Sequence, residues 1–358
     1  MYLSRHAYKN TLTEDLWVAL QEASQKQVGN VMSTWTKQKG FPVIKVSSVQ
    51  DGGSRILTLT QEKFCADGQL PQSESNTLWM IPVSISTATN PKVSASETLL
   101  ESRSIELRIP NVTNDEWIKL NPGTVGFYRV QYSSEMLNSL LPAIKDKTLP
   151  ALDRLGLQND LFAMVQAGRT STVEILKLLQ AFSDEDNYIV WSSINACLGK
   201  LNLILSHTDS QPLFHNFGRQ LLAKTYSKLG WQPVSGESHL DTLLRNMTIN
   251  RLATFEDPLV LSEAKKRFEA HCNGTHVIPA DLRSAVYRSV AIDCDDKTFD
   301  LLFKVLLFDN LNEIIFFCFK IYRDADLQEE KDRVSRALGA VKDEDRIRKV
   351  LEFSLSVS

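Results

Sequence analysis

The sequence has no long apolar run. Its most apolar window, Leu301 to Tyr322, is interrupted by Lys304, Asp309, Glu313 and Lys320. The longest unbroken apolar stretch there, Ile314 to Phe319, falls far short of the ~20 residues a membrane-spanning helix needs. The opening residues, MYLSRHAYKN, hold no apolar h-region, so no signal peptide is expected there. Cysteine is scarce. Cys65, Cys197, Cys272, Cys294 and Cys318 are scattered, odd in number and without a CxxC pair, which reads as reduced thiols in a cytoplasmic protein. Three N-x-[ST] sequons, at Asn111, Asn246 and Asn273, pull weakly the other way. Basic excess is missing as well. With 40 Lys and Arg against 43 Asp and Glu, the formal net charge of −3 gives no electrostatic footprint for nucleic acid.

Catalytic signatures are also absent. None of the histidines (His6, His207, His215, His239, His271 and His276) stands in H-E-x-x-H, the helical arrangement that sets two imidazoles one turn apart for zinc. No G-x-S-x-G elbow, G-x-x-x-x-G-K-[ST] phosphate loop or G-x-G-x-x-G fingerprint occurs. In HCNGTH, His271, Cys272 and His276 surround an Asn-Gly break; as a loop without fixed geometry it is expected to face solvent rather than bind metal. The acidic clusters SDEDN (183–187), DCDD (293–296) and KDEDR (342–346) fall between helices or at helix starts, where carboxylates cap free N–H groups. QEEKDR (328–333) reads as a solvated helix face. No catalytic residue, metal ligand or cofactor is assigned to this chain, and the residues alone mark no substrate-binding position.

What is present falls into three sections. Residues 1–40 have helical spacing: TEDLWVALQEAS offers Thr13 as N-cap and Leu16, Leu20 and Ala23 on one face. Val28, Val31, Met32 and Trp35 follow at i, i+3, i+4 and i+7, and Gly40 stands where a C-terminal cap belongs. From Phe41 to Tyr132 the period is two. FPVIKV, RILTLT, LWMIPVSIS, SIELRI, EWIKL and VGFYRVQY are short segments between turn clusters, and they predict a small antiparallel β-sandwich. From Ser133 onward the spacing is helical again. Ser171 three residues before Glu174 makes a capping box, and Pro258 suits a first helical turn. About ten helices joined by short loops predict an irregular α-solenoid of the HEAT or armadillo kind over 133–358. At the joint between the β and helical sections, Gly123 and Gly126 permit either tight turns or close packing.

Several long stretches carry a resemblance. AYKNTLTEDLWVALQEAS, VMSTWTKQKGFPVIKV, EWIKLNPGTVGFYRVQYSSEML, LPALDRLGLQNDLFAMVQAG, SKLGWQPVSGESHLDTLLR and DADLQEEKDRVSRALGA resemble the puromycin-sensitive aminopeptidases, of the gluzincin zinc aminopeptidase family. The resemblance covers nearly the whole chain. It implies that residues 1–40 are the last helices of a thermolysin-like catalytic domain, 41–132 the family's β-sandwich and 133–358 part of its α-solenoid lid. It also implies peptides as partners of the lid, and zinc in the parent family. The family removes N-terminal residues from peptides with a zinc-activated water, a glutamate base, a tyrosine at the oxyanion and a G-x-M-x-N loop. None of these motifs stands in this sequence, so the chain is expected to be a non-catalytic C-terminal portion. The alternative is a stand-alone peptide- or protein-binding solenoid, a truncated paralogue. Helices 1–40 without the domain they pack on would leave Leu16, Trp17 or Trp35 exposed and favour self-association. About 16 residues, VLLFDNLNEIIFFCFK (305–320), interrupt the family pattern, either as translated intron or as an extra buried element.

Overall fold

In the computed structural model the described residues are 2–69, 71–307 and 327–356. The chain divides into two compact units, Met1–Glu185 and Asp186–Ser358. Apart from its first three residues, the apolar stretch 305–320, with Cys318, lies outside the described residues.

The first unit opens with helices α1 (Tyr2–Arg5), α2 (Thr13–Ser24) and α3 (Val28–Thr36), none of which buries a residue fully. Thr13 is the first helical residue rather than the cap; the Leu12 N–H donates to Asp15 Oδ2 at 2.9 Å instead. Gly40, with φ +92°, lies beyond the helix end at Thr36 and leads into the first strand. Leu16, Trp17 and Trp35 are half-buried, which corrects the expected exposure. Trp35 packs on the sheet core and donates from Nε1 to the Met80 carbonyl at 3.0 Å. The exposed apolar residues of these helices are Leu3, Val18 and Leu20.

Seven strands follow: β1 (Pro42–Asp51), β2 (Ser54–Lys63), β3 (Ile81–Thr87), β4 (Ser96–Leu100), β5 (Ser104–Pro110), β6 (Ile118–Leu120) and β7 (Arg129–Tyr132). They form a four-stranded sheet ordered β5-β2-β1-β7 and a three-stranded sheet ordered β4-β3-β6. Gly52 and Gly53 close the β1–β2 hairpin, with Asp51 opposite Ser54 and Gly52 at φ +56°, as a two-residue turn requires. The period-two pattern does the rest: Leu57 and Leu59 of β2 turn inward while Ile56 and Thr58 do not. Ile44, Val46, Leu57 and Leu59 of the first sheet share one buried cluster with Ile81, Val83, Ile85 and Leu120 of the second, around Trp79. Each such side chain contributes roughly 1.5–3 kcal/mol by leaving water. A polar side chain at the edge of this cluster is satisfied. Buried Gln61 donates to the Trp79 and Ser102 carbonyls (2.8 and 3.0 Å) and accepts from the Trp79 N–H. One pairing departs from the antiparallel expectation: β7 runs parallel to β1, Val43 opposite Arg129. The chain reaches β7 after passing through the second sheet, so it returns alongside β1 in the same direction.

Helices α4 (Ser134–Lys145), α5 (Ala151–Gln166) and α6 (Thr172–Gln180) complete the first unit. The second unit holds α7 (Tyr188–Ile204), α8 (Gln211–Leu229), α9 (His239–Thr254), α10 (Pro258–Cys272), α11 (Ala280–Ile292), α12 (Asp296–Leu307), α13 (Leu327–Leu338) and α14 (Glu344–Ser356). Ser171 caps α6 by accepting from the Val173 N–H at 3.2 Å, while Glu174 pairs with Lys177 at 2.9 Å, so the cap is a simple serine cap in place of the expected capping box. Pro258 sits in the first turn of α10 behind the cap Asp257. Helices pack on their next-but-one as well as adjacent neighbours: α9 on α7 and α11, α11 on α13. The chain is thus mixed, three helices, then small sheets, then many helices among the described residues. No described helix is long and apolar enough to cross a membrane.

Candidate functional site

The joint between sheets and helices in the first unit concentrates buried charge. Asn121, in the left-handed region at φ 56°, and Gly126 bond each other twice: Gly126 N–H to Asn121 Oδ1 at 2.7 Å and Asn121 Nδ2 to Gly126 O at 3.0 Å. Gly123, at φ +69°, supplies the turn between them, and its N–H donates to Asp153 Oδ1 at 2.7 Å. Gly126 serves packing instead, since a Cβ there would overlap the Tyr128 ring. The two alternatives open for these glycines therefore divide between them.

Lys119 on β6 and Asp153 on α5 form a buried pair at 2.8 Å, their side chains 4% and 2% exposed, so water screens neither. Burial lowers the Lys119 pKa against the pull of Asp153 and Asp160. The remaining Lys119 protons go to the carbonyls of Leu120 and Asn121. The next residue of α5, Arg154, holds Glu185 through two bonds of 2.7 and 2.9 Å. Asp160 accepts from the Val130 N–H at 3.0 Å and pairs with Arg129 at 3.0 Å. Burial nevertheless pushes Asp160 up to about 6, outweighing the Val130 N–H, Arg129 and Lys119. Arg129 and Asp160, with Asn159, Phe41, Phe127 and Leu155, line a cleft of about 310 Å³. A perturbed carboxylate in a half-apolar cleft is the usual mark of a binding site. Here Arg129 already pairs with the carboxylate, and the arrangement ties β7 to α5.

A second polar cluster lies inside the second unit. His271 is not in a loop: it belongs to the last turn of α10 and is 2% exposed, which corrects the solvent-facing expectation for HCNGTH. Its Nδ1 accepts from the Ile278 N–H at 3.3 Å and its Nε2 lies 3.4 Å from the Tyr287 hydroxyl. Burial, with Arg283 nearby, lowers its pKa to about 4, so the ring is neutral at pH 7. Tyr287 in turn donates to Glu330, which also receives Arg333 Nη1 at 2.6 Å and Arg283 Nη1 at 3.4 Å. Burial works against the Glu330 charge, yet these donors hold its pKa below the glutamate range. Glu330 therefore does not lie on a solvated face, as QEEKDR suggested. His276 is exposed, so the structure does not present His271, Cys272 and His276 as one ligand set.

The other residues singled out in the sequence are dispersed. His215 is buried and bonds Asn202 at 2.8 Å; His207 and His239 are exposed. Of the acidic clusters, Asn187 caps α7 and Asp295 caps α12, but Glu185 is consumed by Arg154. Cys65, Cys197, Cys272 and Cys294 form no disulfide. Among the described residues no group of three or more His, Cys, Asp or Glu could hold a metal ion.

Comparison with known proteins accords with this architecture. Residues 117–358 match the family described as the ERAP1-like C-terminal domain. The puromycin-sensitive aminopeptidase of Caenorhabditis elegans is 36% identical over 84% of this chain and 32% of its own length. Aminopeptidase M1 of Arabidopsis thaliana is 32% identical over 99% of the chain and 40% of its own length. Human glutamyl aminopeptidase is 31% identical over 80% of the chain and 30% of its length. The chain thus spans between about a third and two fifths of these aminopeptidases. It belongs to the family of ERAP1-like C-terminal domains found in a portion of such aminopeptidases.

Proposed function

We infer that this chain is the C-terminal part of a zinc-dependent aminopeptidase that removes N-terminal residues from peptides, and that it has no catalysis of its own. The observation that carries the reading is similarity to aminopeptidases over nearly all of a chain that has no H-E-x-x-H. In this reading residues 1–40 close the catalytic domain, 41–132 form a β-sandwich and 133–358 form a solenoid that holds peptides. The cluster shared by the two sheets supports the sandwich. The next-but-one packing of α7, α9, α11 and α13 supports the solenoid, whose stacked helices suit extended ligands. A cytoplasmic setting belongs to the same reading, supported by the scattered cysteines. The exposed Leu3, Val18 and Leu20 would meet the remainder of the parent enzyme or, without it, promote self-association.

The test is hydrolysis of aminoacyl reporters by the purified chain in added zinc. The expected result is no release that a chelator abolishes. Chelator-sensitive release of free amino acid would refute the reading.

A further inference from the structure

The Asn-Gly step inside HCNGTH is the feature of that segment not yet used. Asn273 is exposed at the C-cap of α10, and Gly274 follows at φ +73° with open space where a side chain would stand. The Asn273 amide is held in one orientation: its Oδ1 accepts from the Thr275 N–H at 3.0 Å and from the Thr275 hydroxyl at 2.6 Å. Both donors draw electron density from the amide carbon, as donors at an oxyanion site do. The same geometry aims the amide nitrogen, the leaving group, away from Thr275. Asn246, the sequon asparagine in the middle of α9, is different. It is half-buried, its Nδ2 donates to the Asp281 carbonyl, and its successor is Met247 rather than glycine.

We propose that Asn273 is a site of spontaneous deamidation, and that the isoaspartyl product loosens the cap over His271. The Gly274 backbone nitrogen attacks Asn273 Cγ and loses its proton; the new C–N bond closes a five-membered succinimide as the Cγ–Nδ2 bond breaks and ammonia leaves. Water then opens the ring at either carbonyl, giving aspartate or isoaspartate. No oxidant, metal or enzyme is required. The fold restrains the first step, because the Gly274 N–H is engaged with the His271 carbonyl at 3.2 Å and must be released. Deamidation is therefore slower in the folded chain than in the unfolded one, though faster at Asn273 than at Asn246.

The consequence is local. An isoaspartyl linkage adds one backbone methylene between residues 273 and 274. Two bonds that depend on this spacing seal the turn: His276 N–H to the Ala270 carbonyl at 3.1 Å, and Ile278 N–H to His271 Nδ1 at 3.3 Å. Lengthening the backbone pulls both apart and opens a path to a ring that is now only 2% exposed.

The experiment is peptide mapping with isoaspartate detection on the full chain, folded and urea-unfolded, after incubation at mildly alkaline pH. Asn273→Gln serves as the control that removes the site. The expected result is aspartate and isoaspartate at 273 in both states, with amide exchange over residues 271–278 accelerated in the aged folded protein but not in Asn273→Gln. Folded protein that keeps Asn273 intact while the unfolded chain converts would overturn the modification. Isoaspartate at 273 with unchanged exchange over 271–278 would overturn its structural consequence.

Discussion

Residues at the sheet–helix joint are constrained by contact rather than by conformation alone. Gly126→Ala places a methyl group against the Tyr128 ring, and overpacking of this kind costs about 2 kcal/mol, measurable as a lower denaturant midpoint. Asp153→Ala is worse, because it strands the buried Lys119 ammonium; about 3–5 kcal/mol is expected, with Asp153→Asn milder since it keeps an acceptor for the Gly123 N–H. Two titrating groups, buried His271 and half-buried Asp160, give opposite pH dependences. His271 has its folded pKa lowered to about 4, so protonation favours the unfolded chain, and stability is lost as pH falls from the ordinary histidine value near 6.5 towards 4. Asp160 has its folded pKa raised to about 6, so its contribution is fully present below the ordinary carboxylate value near 4 and is lost as pH rises through 6. Asp160→Asn should remove the loss in the first unit over pH 4–6, and His271→Phe the gain in the second, each read by amide exchange within that unit.

At the scale of elements, the sequence foretold what is local. Ser171 three residues before Glu174 marked the start of α6, and Ser171→Ala should cost about 1 kcal/mol, with Ser171→Gly nearer neutral, in equilibrium unfolding. Alternation marked β2 and β5, and β1 beyond Ile44; at its start β1 buries both faces, Val43 against Ala163 and Met164 and Ile44 in the cluster between the sheets. Strand β4 was not foreseen: SETLL carries Ser96, Glu97 and Thr98 on an edge, so its apolar signal is confined to Leu99 and Leu100. The parallel β1–β7 pairing was also hidden, since alternation encodes a face and not a direction. The buried charges were the least legible. Glu330 reads as one of five charges on a helix surface, and only the fold brings it to Tyr287, 43 residues earlier. Glu185 reads as a helix-start acid until α5 supplies Arg154. A hint for Lys119 did exist, as it stands between the buried Ile118 and Leu120 on a strand with no exposed residue.

For the whole molecule, the account rests on what is joined to what. The described residues build sheets, helices and two sealed polar clusters, with no group of three or more His, Cys, Asp or Glu that could hold a metal ion, and the chain spans only 32–40% of the aminopeptidases it matches. Such a part should act with the rest of its enzyme. The most direct test is the size of the endogenous polypeptide, on a blot probed with an antibody raised against residues 186–300. The account predicts a single band of roughly 100 kDa, the size of several joined domains. A single band at this chain's own length would contradict it.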